Sequence, residues 1–236
     1  MKYEESKLYL KVLDAPTLRT LMRLSNAGYF DELLYPISEG KEAVVFCGTS
    51  RDGEYVAVKV YRITMKTFQS IREYIMWDPR FYVGKRRTIL IFQWARKEFR
   101  NLIRAMKAGV RVPTPIVQRK NVIVMEFIGE GKLPAPTARK CPPKDPEGWF
   151  NILKKYIINL VKEARMTHAD LSEFNILNFR EEPVVIDWGQ AVLVDHPRFY
   201  ELLKRDVRNI FRYFRGLGVE VGDEEEFYEK VLEYVG

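Results

Sequence analysis

The apolar positions of the chain fall into runs of two periods, and each period predicts a different element. Leu18, Leu21, Met22 and Leu24 recur at helical spacing behind Asp14, a residue able to cap a helix, and Gly28 follows as a stop. A helix is therefore predicted over 14–26. Two β-branched runs, Ala43–Cys47 and Tyr55–Arg62, flank Asp52-Gly53, which predicts a hairpin. From Ile91 to Ala108 the period is helical again, with a stripe of Phe92, Ala95, Phe99, Leu102, Ile103 and Met106. Glu98 lies beside that stripe, and Gly109 is a good C-terminal stop. "VRVPTPIVQRKNVIVMEFIGEG" predicts two further strands. In "DPEGWFNILKKYIINLVKEA", Asp145 is a cap and Pro146 a first helical residue; Trp149, Leu153, Tyr156, Ile157, Leu160 and Val161 form the apolar face. A short strand ends at Phe179, a turn occupies Glu181–Pro183, and "VVID" is the next strand; from Arg198 the pattern is helical and charged.

Two segments give no clear period. Residues 64–88 are aromatic and basic and predict irregular, mobile chain. Residues 131–144 hold Pro134, Pro136, Pro142 and Pro143 and predict a linker. No repeat and no low-complexity segment is found.

Composition narrows the class. The 236 residues are 47% hydrophobic and 13% aromatic, enough for one large domain or two lobes with a sizeable core. Two cysteines, Cys47 and Cys141, form neither a disulfide framework nor a zinc quartet and suit a reducing, cytoplasmic setting. No apolar run approaches the roughly 18 residues of a membrane span, and the N-terminus does not read as a signal peptide. The net charge of +7 favours an anionic partner such as a nucleotide or RNA.

"THADLSEFNIL", residues 167–177, concentrates polar chemistry in one short stretch. Taken alone, Asp170 could cap a short helix through Leu171, Phe174 and Ile176, or sit in a turn. Its surroundings add weight to another reading. The strand "VAVKVY" puts Lys59 among alternating apolar residues, a helix about forty residues later carries Glu98, and "HADLSEFN" is followed by "VVIDWGQ". This order matches the signature set of a protein kinase: strand lysine, helix glutamate, H-x-D-x-x-x-x-N, and a metal-binding aspartate. Phosphoryl transfer needs positioning and charge neutralisation rather than covalent help. Lys59, paired with Glu98, would grip the α- and β-phosphates. Asn175 and Asp187 are hard oxygen donors for Mg²⁺. Asp170 would accept or orient the proton of the attacking group. His168 is read as a structural hydrogen-bonding residue of the loop.

The pieces "ISEGKEAVVF", "AVKVYRI", "WARKEFRNL", "VMEFIGE", "THADLSEFNIL", "VIDWGQAV" and "RDVRNI" together resemble the RIO family of atypical serine/threonine kinases, most of all the first subfamily in its short archaeal form. The resemblance runs from about Asp14 to Arg215. It implies an α+β, two-lobed protein-kinase-like fold. Residues 1–128 would form a small β-rich lobe with an extra N-terminal helix, with a hinge near 126–128. Residues 129–236 would form a reduced helical lobe, the two making one domain. It also implies ATP and Mg²⁺ (or Mn²⁺) as cofactors. Ser38, Glu39, Gly40, Lys41, Glu42, Ala43, Ala57 and Lys59 would contact the nucleotide, and Glu126 and Ile128 would bind adenine through their backbone. Asp187 would be both metal ligand and acceptor of an aspartyl-phosphate. Residues 64–88 would match a flexible insertion. The implied setting is cytoplasmic maturation of the small ribosomal subunit, with the precursor particle and its rRNA as partners and the protein a monomer.

Departures from ordinary kinases bear on mechanism. "SEGKEA" has one glycine where a G-x-G-x-x-G loop has three, Ala169 stands at the catalytic-loop arginine, and Ser172 stands at a lysine. Glu39 and Val44 replace the Thr and Asn usual in the subfamily. Two alternatives stay open: a small-molecule phosphotransferase of the kinase-like superfamily, and a nucleotide-gated module that binds an RNA particle without catalysis.

Overall fold

The structure, a computed structural model, describes residues 13–63, 68–81 and 86–235. By backbone packing the chain forms two compact units. One comprises residues up to Phe99 with Thr114–Pro134; the other comprises Arg100–Pro113 with Ala135–Gly236.

The first unit opens with helix α1 (Ala15–Asn26). Asp14 caps it by accepting the Thr17 amide at 2.8 Å. An antiparallel sheet follows: β1 (Glu32–Glu39), β2 (Ala43–Thr49), β3 (Tyr55–Tyr61), β4 (Pro115–Arg119) and β5 (Val122–Glu126), in the order β1-β2-β3-β5-β4. The period-2 rule sorts the central strand. Val56, Val58 and Val60 join Val44, Phe46, Val122 and Val124 in a core closed by Leu21 and Leu24 of α1. Tyr61, with Lys59 and Ala57 at alternate positions of the same strand, lies in a second cluster with Ile123 and with Leu90, Ile91, Trp94 and Ala95. Strand β1 has no counterpart among the predicted elements. It is an edge strand with two register shifts and Pro36 inside it, so it lacks the alternation that marks a paired strand. Gly48 in β2 is required there, because a Cβ would meet the Glu32 carbonyl at 2.8 Å.

Two expectations need correction. Residues 64–88 are not irregular throughout: helix α2 spans Phe68–Met76, and Ile71 and Ile75, four apart, bury against Leu90 and Trp94. The helical period is short, and most of the other residues are polar or aromatic, so pattern alone does not resolve it. Helix α3 begins at Arg87 rather than Ile91 and runs to Lys107. Its buried stripe is Leu90, Ile91, Trp94, Ala95, Leu102 and Ala105, with charged Lys97 and Glu98 also buried; Met106 is exposed. The predicted stripe is rotated by about one position because Lys97 and Glu98 occupy core-facing sites. A small hairpin, β6 (Gly129–Glu130) and β7 (Leu133–Pro134), straddles the point, residue 131, where the predicted linker begins.

The second unit is mainly helical. Helix α4 (Pro146–Lys162) carries the Asp145 cap, which accepts the Gly148 amide at 2.9 Å. Strands β8 (Met166–Thr167), β9 (Ile176–Phe179), β10 (Glu182–Val185) and β11 (Val192–Leu193) pair as β8–β11 and β9–β10. Pro183 lies within β10 rather than in a turn; the turn is Arg180–Glu181, both at positive φ. Helices α5 (Phe199–Gly216) and α6 (Glu224–Leu232) complete the unit. Phe150 of α4 packs edge-on to Phe211 of α5 at 5.0 Å between ring centroids. Among the described residues no helix is long and apolar enough to cross a membrane.

Candidate active site

In the first unit, Lys59 Nζ donates to Glu98 Oε1 at 2.7 Å, with both residues buried. The strand presents Lys59 on the α3-facing side, and helix α3 presents Glu98 inward, so burial and geometry come from regular structure. Tyr61, two residues along the same face of β3, donates its hydroxyl to Glu98 Oε2. Its ring centroid lies 5.2 Å from the lysine nitrogen, within cation–π range. Sequence reasoning missed Tyr61, although its spacing of two from Lys59 puts it on the same strand face.

The 38–43 segment is the β1–β2 connection. Ser38 and Glu39 end β1, Ala43 begins β2, and the Gly40 amide donates to the Ala43 carbonyl at 2.9 Å. Glu39, where the subfamily usually has Thr, pairs with Arg62 at 2.6 Å. Glu42 accepts the Arg62 amide through its carbonyl, and Lys41 is exposed. Ala57 is buried in β3. Glu126 ends β5, and its carboxylate accepts the Thr114 amide at 3.0 Å and hydroxyl at 2.9 Å. Those bonds fix Glu126 at the end of the strand. Ile128 is buried two residues on.

In the second unit the polar residues sit on loops. Asp170 is not a helix cap: residues 168–175 form bends and turns between β8 and β9. Asn175 Nδ2 donates to the Asp170 carbonyl at 2.8 Å and to Asp170 Oδ2 at 3.0 Å. Gln190 Nε2 stands 3.5 Å from the same carboxylate oxygen. Burial raises the Asp170 pKa from its ordinary value, and the negative charge of Asp187 adds to that; Asn175 and Arg205 oppose it. Asp187 is exposed and follows β10, and its φ is 66°. A non-glycine residue held in the left-handed region signals stored strain, a feature that concentrates at functional sites. The loops are tied by backbone: the Ile186 amide donates to the Asn175 carbonyl at 2.9 Å.

The anchor of this arrangement is Asp206, which the sequence pattern places among the solvated charges of α5. It is almost fully buried. Its carboxylate accepts the Thr167 hydroxyl at 2.7 Å, the Ala169 amide at 2.7 Å and the Leu171 amide at 2.9 Å. Burial pushes its pKa up to about 6 against those three donors. Arg205 donates to the Ala169 carbonyl and Asn209 to the Leu171 carbonyl at 3.1 Å. Ala169 itself is held at φ 64°. Arg205 is therefore committed to the loop, which removes it from the basic face that its spacing with Arg208, Arg212 and Arg215 suggests. Its neighbour Arg208 remains largely exposed, 3.5 Å from Glu224. One signal for Asp206 is present in the sequence: it interrupts the apolar stripe Leu202, Leu203, Val207, Ile210, where a carboxylate needs strong partners.

His168 is structural, as expected. Its Nε2 lies 3.0 Å from the Ile186 carbonyl, which can only accept, so Nε2 carries the proton. Its ring meets Trp188 edge-on at 4.6 Å. Asn101 donates to the carbonyls of Trp188 at 2.9 Å and Ala191 at 3.3 Å, fixing the chain after Asp187.

The donor set suits Mg²⁺. Asn175 commits its amide nitrogen to Asp170, which leaves Oδ1 outside those bonds, and Asp187 supplies a carboxylate. Among the described residues no group of three or more His, Cys, Asp or Glu is placed to hold a metal. Two protein oxygens, completed by phosphate and water, is the usual provision for Mg²⁺ and poor provision for zinc.

Residues 44–227 match the RIO domain. The chain is 40% identical over 229 residues to the RIO-type serine/threonine-protein kinase Rio1 of Haloferax volcanii, covering 97% of this chain and 78% of that protein. It is 39% identical to the Rio1 kinase of Methanocaldococcus jannaschii, covering 98% of this chain and 78% of the relative. Identity to human serine/threonine-protein kinase RIO1 is 34%, over 94% of this chain and 40% of the human protein. Among solved structures, the Rio2 kinase–ADP/Mg²⁺–phosphoaspartate complex from Chaetomium thermophilum superposes with a TM-score of 0.72 at 26% identity. That match covers 92% of this chain and 65% of the other. The fold is thus α+β and protein-kinase-like, as the sequence resemblance implies.

Proposed function

The chain belongs to the RIO family of serine/threonine protein kinases, in its Rio1 subfamily, and from that premise we propose that it moves the γ-phosphoryl group of ATP through Lys59, Asp170, Asn175 and Asp187. The observation that carries this reading is the buried Lys59–Glu98 ion pair at 2.7 Å. A buried ion pair is weak support for stability alone, because desolvation offsets much of its attraction. Its burial and geometry fit a lysine held ready for phosphate.

The proposed mechanism divides the work among these residues. Lys59, held by Glu98, neutralises charge on the α- and β-phosphates. Asn175 Oδ1 and the Asp187 carboxylate would hold Mg²⁺, which when bound supplies charge neutralisation to the phosphates. Asp170, its pKa raised, would accept the proton of a hydroxyl or water that takes the phosphoryl group, whether from ATP or from Asp187. Glu126 and Ile128 offer backbone groups to adenine. The 38–43 turn covers the phosphates, with Glu39 tied to Arg62 rather than serving as a phosphate contact.

Asp187 is also the proposed acceptor. One carboxylate oxygen attacks the γ-phosphorus, the bond from that phosphorus to the bridging oxygen breaks, and ADP leaves with the electron pair. The related Rio2 kinase forms a complex with ADP, Mg²⁺ and a phosphoaspartate, which supports this route. Slow turnover of such an intermediate suits a protein whose nucleotide state gates assembly. The proposed setting is late cytoplasmic maturation of the small ribosomal subunit, with the precursor particle and its rRNA as partners.

The test is labelled ATP turnover with and without small-subunit precursor particles, followed by hydroxylamine treatment of the protein. Label released by hydroxylamine and absent from Asp187→Ala supports the aspartyl route. Only acid-stable, hydroxylamine-resistant label would reject that route and leave a hydroxyl acceptor. No turnover and no nucleotide binding would reject the kinase reading of these residues.

A further inference from the structure

We infer that Tyr61 is a positioning residue for phosphate binding, acting on Lys59 through the second oxygen of Glu98; this rests on the reading of Lys59 as the phosphate-gripping cation. A carboxylate held by one donor can still swing about its side-chain torsions. Glu98 is held by two, Lys59 on Oε1 and the Tyr61 hydroxyl on Oε2, which fixes the plane of the carboxylate and with it the lysine nitrogen. The same phenol ring stands 5.2 Å from that nitrogen, within cation–π range.

The surroundings of the ring do not explain the hydroxyl. Ile71, Ile75, Leu90 and Ile91 pack in its cluster, and a phenylalanine would fill that space equally well. A buried hydroxyl is retained where a polar partner needs it, and here Glu98 is that partner.

The backbone of Tyr61 is itself clamped. Its amide donates to the Asn121 carbonyl at 2.9 Å, and its carbonyl accepts Asn121 Nδ2 at 2.8 Å. Asn121 Nδ2 also donates to the Thr17 hydroxyl of α1 at 2.9 Å. Asn121 is 1% exposed, so these bonds are sheltered from water. The bonds of Asn121 thus tie α1 to the backbone of Tyr61, whose hydroxyl in turn holds Glu98 and, through it, Lys59. The N-terminal helix thereby contributes to the placement of the lysine as well as to the core.

The experiment compares ATP and adenosine affinity, by titration calorimetry, in wild type, Tyr61→Phe, Glu98→Gln, the double variant and Lys59→Ala. Adenosine has no phosphates, so a disturbed lysine weakens ATP alone, whereas general damage weakens both. Tyr61→Phe is expected to weaken ATP about tenfold, the scale of one hydrogen bond to a charged group. Adenosine affinity should stay within about twofold, and the loss of ATP affinity should vanish in the Glu98→Gln background, as it must if both act through one carboxylate. Thr17→Val, which cuts the tie to α1, should show a smaller loss of the same selective kind. Unchanged ATP affinity in Tyr61→Phe, equal loss of both ligands, or full additivity with Glu98→Gln would overturn the inference. If Lys59→Ala itself leaves ATP affinity unchanged, the phosphate-gripping reading of Lys59 fails instead.

Discussion

Lys59 and Glu98 stand on a strand and a helix, whereas Asp170, Asn175 and Asp187 stand on loops, and the two groups are held in place by different physics. The strand period aims Lys59, the helix period aims Glu98, and burial in a packed cluster does the rest. The loop residues have no such lattice. Ala169 and Asp187 are kept at positive φ, and one buried carboxylate, Asp206, gathers the Thr167 hydroxyl and the Ala169 and Leu171 amides to hold the turn. Regular structure tolerates many sequences that keep the pattern. An irregular loop depends on particular polar atoms and is correspondingly fragile.

The largest expected effect breaks the regular group. Lys59→Ala should lower phosphoryl transfer about 10³-fold or more, the scale of deleting a charge-stabilising donor. The fold should survive, since the strand keeps its pairing; labelled-ATP turnover and circular dichroism check both halves of the statement.

Asp170→Asn should lower turnover by about 10²-fold or more while nucleotide affinity changes little, because it removes a proton acceptor rather than a binding contact. Equal losses in affinity and turnover would show that Asp170 serves the loop more than the chemistry.

Asp206→Ala attacks the loop from behind without touching a proposed reacting atom. Leaving two buried amides and a hydroxyl without their acceptor should cost about 3 kcal/mol or more of stability, and turnover should fall with it. Urea denaturation gives the first quantity.

A pH series sharpens the same point. Burial raises the Asp206 pKa from 3.8 to about 6, so the folded chain binds that proton more tightly than the unfolded chain. Its contribution is fully present below about pH 4 and is lost as pH rises through about 6, by about 2–3 kcal/mol. Asp206→Asn should lack this component. Identical pH slopes in wild type and variant would refute the buried titration.

The smallest catalytic effect is expected on the outer face of the same helix. Arg208→Glu with Arg212→Glu should leave isolated ATP turnover within about twofold. If RNA phosphates contact this face, the pair should weaken binding to small-subunit rRNA and lower the salt slope by about one for each lost contact. Filter binding across a salt series decides it. Unchanged affinity and slope would remove this face from the interface and leave the basic run Lys85-Arg86-Arg87, of which Lys85 lies outside the described residues, as the remaining candidate.

Much of the fold is legible in the sequence because period and punctuation agree. Asp14, Gly28, Asp52-Gly53 and Asp145-Pro146 stand where the elements start and stop. Strand β1 and helix α2 are not legible. An edge strand with register shifts breaks the alternation, and a short helix offers few turns over which a period can show.

The residue types and order of Lys59, Glu98, Asp170, Asn175 and Asp187 are read from the sequence itself, where they match the kinase signature set, and phosphoryl transfer calls for such a cation, partner, base and hard oxygen donors. The tertiary structure alone decided what holds them. Tyr61 is an aromatic in a strand until its hydroxyl reaches Glu98, and Asp206 is one more charge on a helix until burial turns it toward three donors. Both are contacts between residues far apart in the chain, 37 positions for Tyr61 and Glu98 and 39 for Thr167 and Asp206. Hydrophobic period reports which face of an element is buried; it carries no information about which distant polar atom meets that face.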